Sequence, residues 1–189
     1  SKTNFDLSYQ QKNDFELNKK YQELCQKILN FKNSETNFEN NKILFISGFF
    51  YKHTVSKLFF NFIEELSMHK NLDVNLLHLS SKDDDWTKMY KQLDIKFFQN
   101  TNTLKILNFL KEERFKSIFF LDHAMNNISQ AIISSKLAKN YFVFFGHPVT
   151  TGSQNIDYFI SSSKIDNNNH KQFSEKLILL DSIGFNYKL

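Results

Sequence analysis

Apolar residues in this chain fall into short continuous runs, separated by stretches in which they recur every three or four positions. The runs are Lys42–Ser47, Val74–Leu79, Ile95–Phe98, Ser117–Leu121, Tyr141–Phe145, Asp157–Ser161 and Leu177–Leu180. Unbroken hydrophobicity, rather than alternation, marks strands buried on both faces, as in parallel sheets. Between them lie helical patterns. Leu58, Phe59, Phe62, Ile63 and Leu66 form a wide stripe behind a cap at Thr54 or Ser56. A helix over Trp86–Leu93 is led by Asp83, Asp84 and Asp85, acids that suit a helix start. Leu104, Ile106, Leu107 and Leu110 mark another, Ile128–Leu137 a further one, and a short helix is expected over Asn168–Lys176. Strands alternating with helices predict an α/β, Rossmann-like domain: a mainly parallel sheet with helices on both faces. No repeat at solenoid periods interrupts the pattern.

A separate helix precedes this unit. From about Asp14 to Phe31, Leu17, Tyr21, Leu24, Cys25 and Ile28 share one face, and that face is expected to pack inward. Asn33–Asn41 reads as a polar linker. The chain thus divides into an N-terminal helix and linker (1–41) and the Rossmann-like unit (42–189).

Composition adds boundaries more than it adds function. At 189 residues, 41% hydrophobic and 23% charged, the chain is long enough for a core and typical of globular proteins. The net charge of +4 comes from lysines scattered along the chain, without the basic cluster and interleaved aromatics of a nucleic-acid binder. The single cysteine, Cys25, rules out an internal disulfide and is expected to be a core thiol. No apolar run reaches the ~20 residues of a membrane span. No signal-peptide core opens the chain, so a cytoplasmic location is expected. The first residue is Ser1, and the chain is expected to be an excerpt of a longer one.

Three polar clusters sit where strands end: Gly48–His53, Asp122–His123 and Gly146–Gly152. Strand carboxyl ends share one edge of a doubly wound sheet, so these clusters should converge there. His53 reads either as a proton donor or acceptor for a ligand or as a surface histidine. His147 precedes Pro148, the only proline, which favours an extended backbone and aims the side chain out of the sheet edge; a turn residue is the competing role. Thr150, Thr151 and Gly152 offer hydroxyls and close backbone approach to a sugar or phosphate, and a plain turn would use the same residues. Asp122 and His123 fit an acid–base or orienting pair, or, for the aspartate, a helix cap. No Gly-x-Gly-x-x-Gly, Walker or Gly-x-Ser-x-Gly motif is present, which disfavours dehydrogenase, P-loop, flavodoxin-like and hydrolase readings.

Ile46-Ser-Gly-Phe-Phe-Tyr-Lys-His-Thr-Val-Ser-Lys-Leu58 resembles the first strand, histidine loop and helix of the O-linked N-acetylglucosamine transferase family. Gly146-His-Pro-Val-Thr-Thr-Gly152, followed by Asp157-Tyr158, is similar to the family's Gly-Tyr-Pro segment, and its Gly-His-Pro form to bacterial relatives that glucosylate asparagine in adhesins. Ser174-Glu-Lys-Leu177 matches a third motif in order. Phe49 stands where the family usually has Asp, and Thr54 where it often has Pro.

The resemblance implies an inverting, metal-independent glycosyltransferase of GT-B type, with no cofactor beyond its UDP-sugar substrate. Residues 42–189 would be the N-terminal catalytic half. Its expected partners are the nucleotide-sugar, an acceptor protein or peptide modified on Ser/Thr or Asn, and a C-terminal donor-binding half. The resemblance makes His53 the active-site histidine and places Gly146, His147, Pro148, Thr150, Thr151 and Gly152, with Asp122 and His123, beside the substrate. Asp157 and Tyr158 would be structural. The alternative is a non-catalytic Rossmann-like module for binding or assembly.

Overall fold

A computed structural model describes residues 6, 14–29, 38, 41–147, 149–166 and 170–182. Its centre is a seven-stranded sheet, every pair parallel, in the order β3-β2-β1-β4-β5-β6-β7. The strands are β1 (Lys42–Ser47), β2 (Asp73–His78), β3 (Lys96–Gln99), β4 (Ser117–Phe120), β5 (Asn140–Phe144), β6 (Tyr158–Ser162) and β7 (Lys176–Leu180). The helices are α1 (Phe15–Leu29), α2 (Thr54–Ser67), α3 (Asp85–Lys91), α4 (Thr103–Glu113) and α5 (Asn127–Ser135).

The continuous apolar runs make sense because both faces of the sheet are covered. Leu44 and Ile46 of β1 point to one side, with Ile118 and Phe120 of β4, and meet Ile106, Leu107 and Leu110 of α4 and Ile132 and Ile133 of α5. Phe45 points to the other, where Phe59, Phe60 and Ile63 of α2 and Tyr90 of α3 close over it. Successive side chains of a strand alternate between faces, so a strand covered twice has no polar side to show. The result is the Rossmann-like parallel α/β fold that the pattern predicts.

Three local expectations are corrected. Residues 174 and 175 do not continue a helix: a single 3-10 turn at His170–Gln172 comes before β7, and 167–169 lie outside the described residues. The cap of α2 is neither Thr54 nor Ser56 but His53, whose Nδ1 accepts from the Val55 N–H at 3.2 Å. The cap of α5 is Asn126, not Asp122. Asp84 does cap α3, in a reciprocal box with Thr87.

The N-terminal helix forms where expected but is turned about its axis, so that of the apolar stripe only Tyr21 and Cys25 are half-buried. Leu17, Leu24 and Ile28 are 49, 54 and 72% exposed, while Asn18 and Gln22 are each 2% exposed against the body. Cys25 is half-buried rather than a core thiol. The linker expected at Asn33–Asn41 lies outside the described residues apart from positions 38 and 41.

Candidate functional site

In this strand order the chain runs outward from β1 to β3 and then returns to β4 on the other side of β1. The switch point therefore lies between the carboxyl ends of β1 and β4, where open α/β sheets bind ligands. Here that crevice is filled from within. Asp122 Oδ2 accepts from the Gly48 N–H at 2.9 Å. A Cβ on residue 48 would lie 2.8 Å from Asn126 Nδ2 and 3.2 Å from Asp122 Oδ2, so a larger residue would have to push these two side chains aside. Asp122 is 3% exposed, and its Oδ1 is buried without a hydrogen-bond partner. Burial pushes its carboxyl up to about 7, against the lowering effect of the Gly48 hydrogen bond.

The neighbouring histidines extend this buried cluster to β5. His123 and His147 meet edge to face, ring centroids 5.3 Å apart, and are 2 and 5% exposed. His147 thus turns inward rather than out of the sheet edge; Pro148 lies outside the described residues. Burial lowers the His123 pKa to about 3, helped by the nearby His147, and lowers that of His147 to about 4. Burial thus favours the neutral form of both rings, and His123 Nε2 has no partner.

The Thr150–Gly152 loop is held from two sides. Glu175, 6% exposed, accepts from Thr150 Oγ1 at 2.8 Å, from the Thr151 N–H at 2.8 Å and from Thr151 Oγ1. From above, α1 brings Asn18 Nδ2 to Thr150 O at 3.1 Å. Gln22 donates to Gln130, which in turn donates to His123 O. The polar face of α1 is therefore its inner face because it satisfies loop carbonyls and amides that would otherwise be buried unpaired. The threonine hydroxyls are engaged internally, whereas Gly146 is exposed and a Cβ there would find only Leu121 O at 3.9 Å. Asp157 accepts from the Tyr141 N–H at 2.7 Å and from Lys136, and so ties β5 to the start of β6.

In the sequence Glu175 stands out only as part of the Ser174-Glu-Lys-Leu177 motif, although Ser-Glu before a final strand offers the acceptor that Thr-Thr needs. Glu175→Ala should cost about 3 kcal/mol, because three buried donors lose their acceptor at about 1–3 kcal/mol each and Ser174 still serves Thr150. Urea denaturation measures it; an unchanged midpoint would show that the loop re-satisfies itself.

His53 stands apart from this cluster, on the β2 side of the switch point. Its ring stacks on Phe49 with centroids 4.2 Å apart, and Tyr51 lies 6.0 Å away. The loop that carries it is fixed: the Phe49 N–H donates to Ser47 Oγ at 2.9 Å, the Lys52 N–H to Asp84 Oδ2 at 2.8 Å, and Thr87 Oγ1 to Phe50 O at 2.7 Å. Since Nδ1 accepts from Val55, it carries no proton, and the neutral ring must hold its hydrogen on Nε2. Burial, then the charge of Lys82, lowers the His53 pKa and favours that neutral form. The half-buried ring is thus a fixed hydrogen-bond donor. It is poorly suited to be a base: one nitrogen is occupied and the other already protonated.

Fold and site together define a Rossmann-like domain whose polar loops gather at the strand carboxyl ends. No protein-family model matches the chain, and no curated protein matches it by sequence. Among solved structures, a single-residue variant of the O-GlcNAc transferase of Thermobaculum terrenum shares the fold, with a TM-score of 0.71 over 87% of this chain at 13% identity. The chain spans 34% of that transferase's length. Among the described residues, no group of three or more His, Cys, Asp or Glu is placed to hold a metal ion, and no helix is long and apolar enough to cross a membrane.

Proposed function

We propose that this chain is the acceptor-side half of an inverting GT-B glycosyltransferase. The enzyme would move a sugar, GlcNAc or a hexose, from a nucleotide-sugar to Ser/Thr or Asn of an acceptor protein, without a metal. The observation that carries the reading is His53: a neutral Nε2–H donor, locked in its tautomer by Val55, at the carboxyl edge of the first strand. Its support is the fold shared with an O-GlcNAc transferase and the three motifs that resemble that family in order.

In an inverting transfer the acceptor atom attacks the anomeric carbon from the face opposite the leaving group. The bond to the nucleotide diphosphate breaks, its electron pair stays on the diphosphate, and the acceptor's proton passes to a base. A fixed neutral donor assists the charge that develops on an oxygen, without having to reorganise as it appears. His53 takes that role in the proposal, orienting or polarising a reacting oxygen, and does not remove the acceptor's proton. The main-chain amides of Gly48, Phe49, Lys52 and Val55 are consumed internally, which fits a half that leaves most contacts with the donor phosphates to its counterpart.

The second reading is a non-catalytic assembly module, favoured by the outward apolar residues of α1. The two separate in one assay. The protein that joins this chain to a donor-binding half is incubated with several nucleotide-sugars and an acceptor protein, and the acceptor is weighed by mass spectrometry. A hexose or N-acetylhexosamine increment is expected; its absence with every donor favours the module.

A further inference from the structure

Phe49, Tyr51 and His53 form a half-exposed cluster of rings at the sheet edge, of which the proposed reaction uses only the His53 N–H. Phe49 stacks on His53, and Tyr51 leans against Phe49 at 5.8 Å. Lys82 Nζ lies 4.5 Å from the Tyr51 ring centroid and 3.4 Å from its hydroxyl. Lys82 is held in place from behind: its carbonyl meets His78 Nε2 at 3.1 Å and Gln99 Nε2 at 3.2 Å, and its N–H donates to Ser80 Oγ. Lys52 is exposed on the ring-bearing loop. Among the described residues neither lysine has an acidic partner. The acids nearby are already engaged, Asp83 with Lys91 and Asp84 with the Lys52 and Thr87 amides.

The chemistry around the rings narrows the ligand. A phosphate is ordinarily cradled by free main-chain amides. Here the amides of Gly48, Phe49, Lys52 and Val55 all donate to side chains of the protein itself. A sugar's hydroxyls call for acceptors as well as donors, yet these rings are bordered by ammoniums, the His53 N–H and a Tyr51 hydroxyl that Lys82 already meets. What remains favourable is a planar ring laid against aromatic carbon, with a carboxylate beside it for the lysines.

We propose that the Phe49–Tyr51–His53 face, with Lys82 and Lys52, binds a polypeptide segment in which an aromatic side chain neighbours Asp or Glu. The aromatic side chain packs on the rings and the carboxylate meets Lys82. Naming that segment as the acceptor rests on the glycosyltransferase reading; the binding itself does not. Phe49 stands where the resembled family usually has Asp, so this apolar, cationic face is a feature of this chain's own residues.

Fluorescence anisotropy of a labelled peptide with adjacent tyrosine and glutamate, added to the whole protein without any sugar donor, tests it. Binding should weaken at least about tenfold in Tyr51→Ala and in Lys82→Glu, as expected for a ring anchor and its charge partner. It should weaken with salt and stay unchanged in Lys111→Glu, a substitution on α4. Lys82 is exposed, so that variant leaves the core untouched. Equal binding of a peptide whose tyrosine is replaced by serine, indifference to Lys82→Glu, or tighter binding of a nucleoside diphosphate to the same residues would overturn the proposal. Peptide binding without sugar transfer would count against the enzyme reading alone; transfer without such binding would count against this one alone.

Discussion

Replacing Gly152 with alanine is expected to lift α1 from the body of the protein. The backbone at Gly152 has φ +70°, in the left-handed region, which costs an L-residue about 1–2 kcal/mol. The contact above it is worse. An added Cβ would lie 2.4 Å from Lys19 N and 2.5 Å from Asn18 C, main-chain atoms that no rotamer change can move. The helix must therefore retreat, and the Asn18–Thr150 and Gln22–Gln130 bonds go with it. Leu17, Leu24 and Ile28 do little to hold it back, since they face solvent. Amide hydrogen exchange should show α1 losing about tenfold or more of its protection, the equivalent of the backbone cost alone, while β1 and β4 keep theirs. Unchanged protection in α1 would mean that the Gly152 contact does not secure it.

The second large effect is acid sensitivity, with the His123–His147 pair as its source. Their pKa values fall from the ordinary 6.5 to about 3 and about 4 on folding, so below pH 6.5 the unfolded chain binds two protons that the native state does not. Stability contributed by neutral burial is therefore lost as pH falls from 6.5 toward 4, by about 1.4 kcal/mol per unit for each histidine. Asp122 acts in the opposite sense. Its carboxyl is raised from 3.8 to about 7, so the native state keeps a proton that the unfolded chain has released, and stability falls as pH rises from 4 to 7. Two terms against one leave a net loss of about 1.4 kcal/mol per unit, about 3 kcal/mol between pH 6.5 and 4. Thermal denaturation across this range checks it. Asp122→Asn should steepen the acid loss to about twice that slope, because the opposing proton is gone. A flat profile in both proteins would show that the two rings are protonated in the native state.

What the sequence disclosed follows from where the cause of each feature lies. The seven strands were legible because burial on both faces leaves an unbroken apolar run, a property of the segment alone. The helical stripe of α1 was legible too, but a stripe says which face is apolar and not which face meets the body. Asn18 and Gln22 turned inward because Thr150 O and Gln130, more than a hundred positions away, need partners. The extended path at Ser174–Glu175 has the same kind of cause, since Glu175 must reach Thr150 and Thr151. In the site, the meeting of the β1, β4 and β5 ends followed from topology. That Asp122 would fill the crevice and His53 would cap α2 depends on side-chain directions that spacing does not encode.

His53 can be tested without disturbing what it holds. Asparagine is a good N-cap and can accept from Val55 as Nδ1 does now, so His53→Asn should keep α2 and the unfolding midpoint while removing the Nε2–H. In the protein that includes a donor-binding half, sugar transfer to an acceptor should fall about a hundredfold or more, the usual effect of deleting one fixed donor to a developing oxyanion. Near-normal turnover in this folded variant would contradict the placement of His53 at the reacting centre.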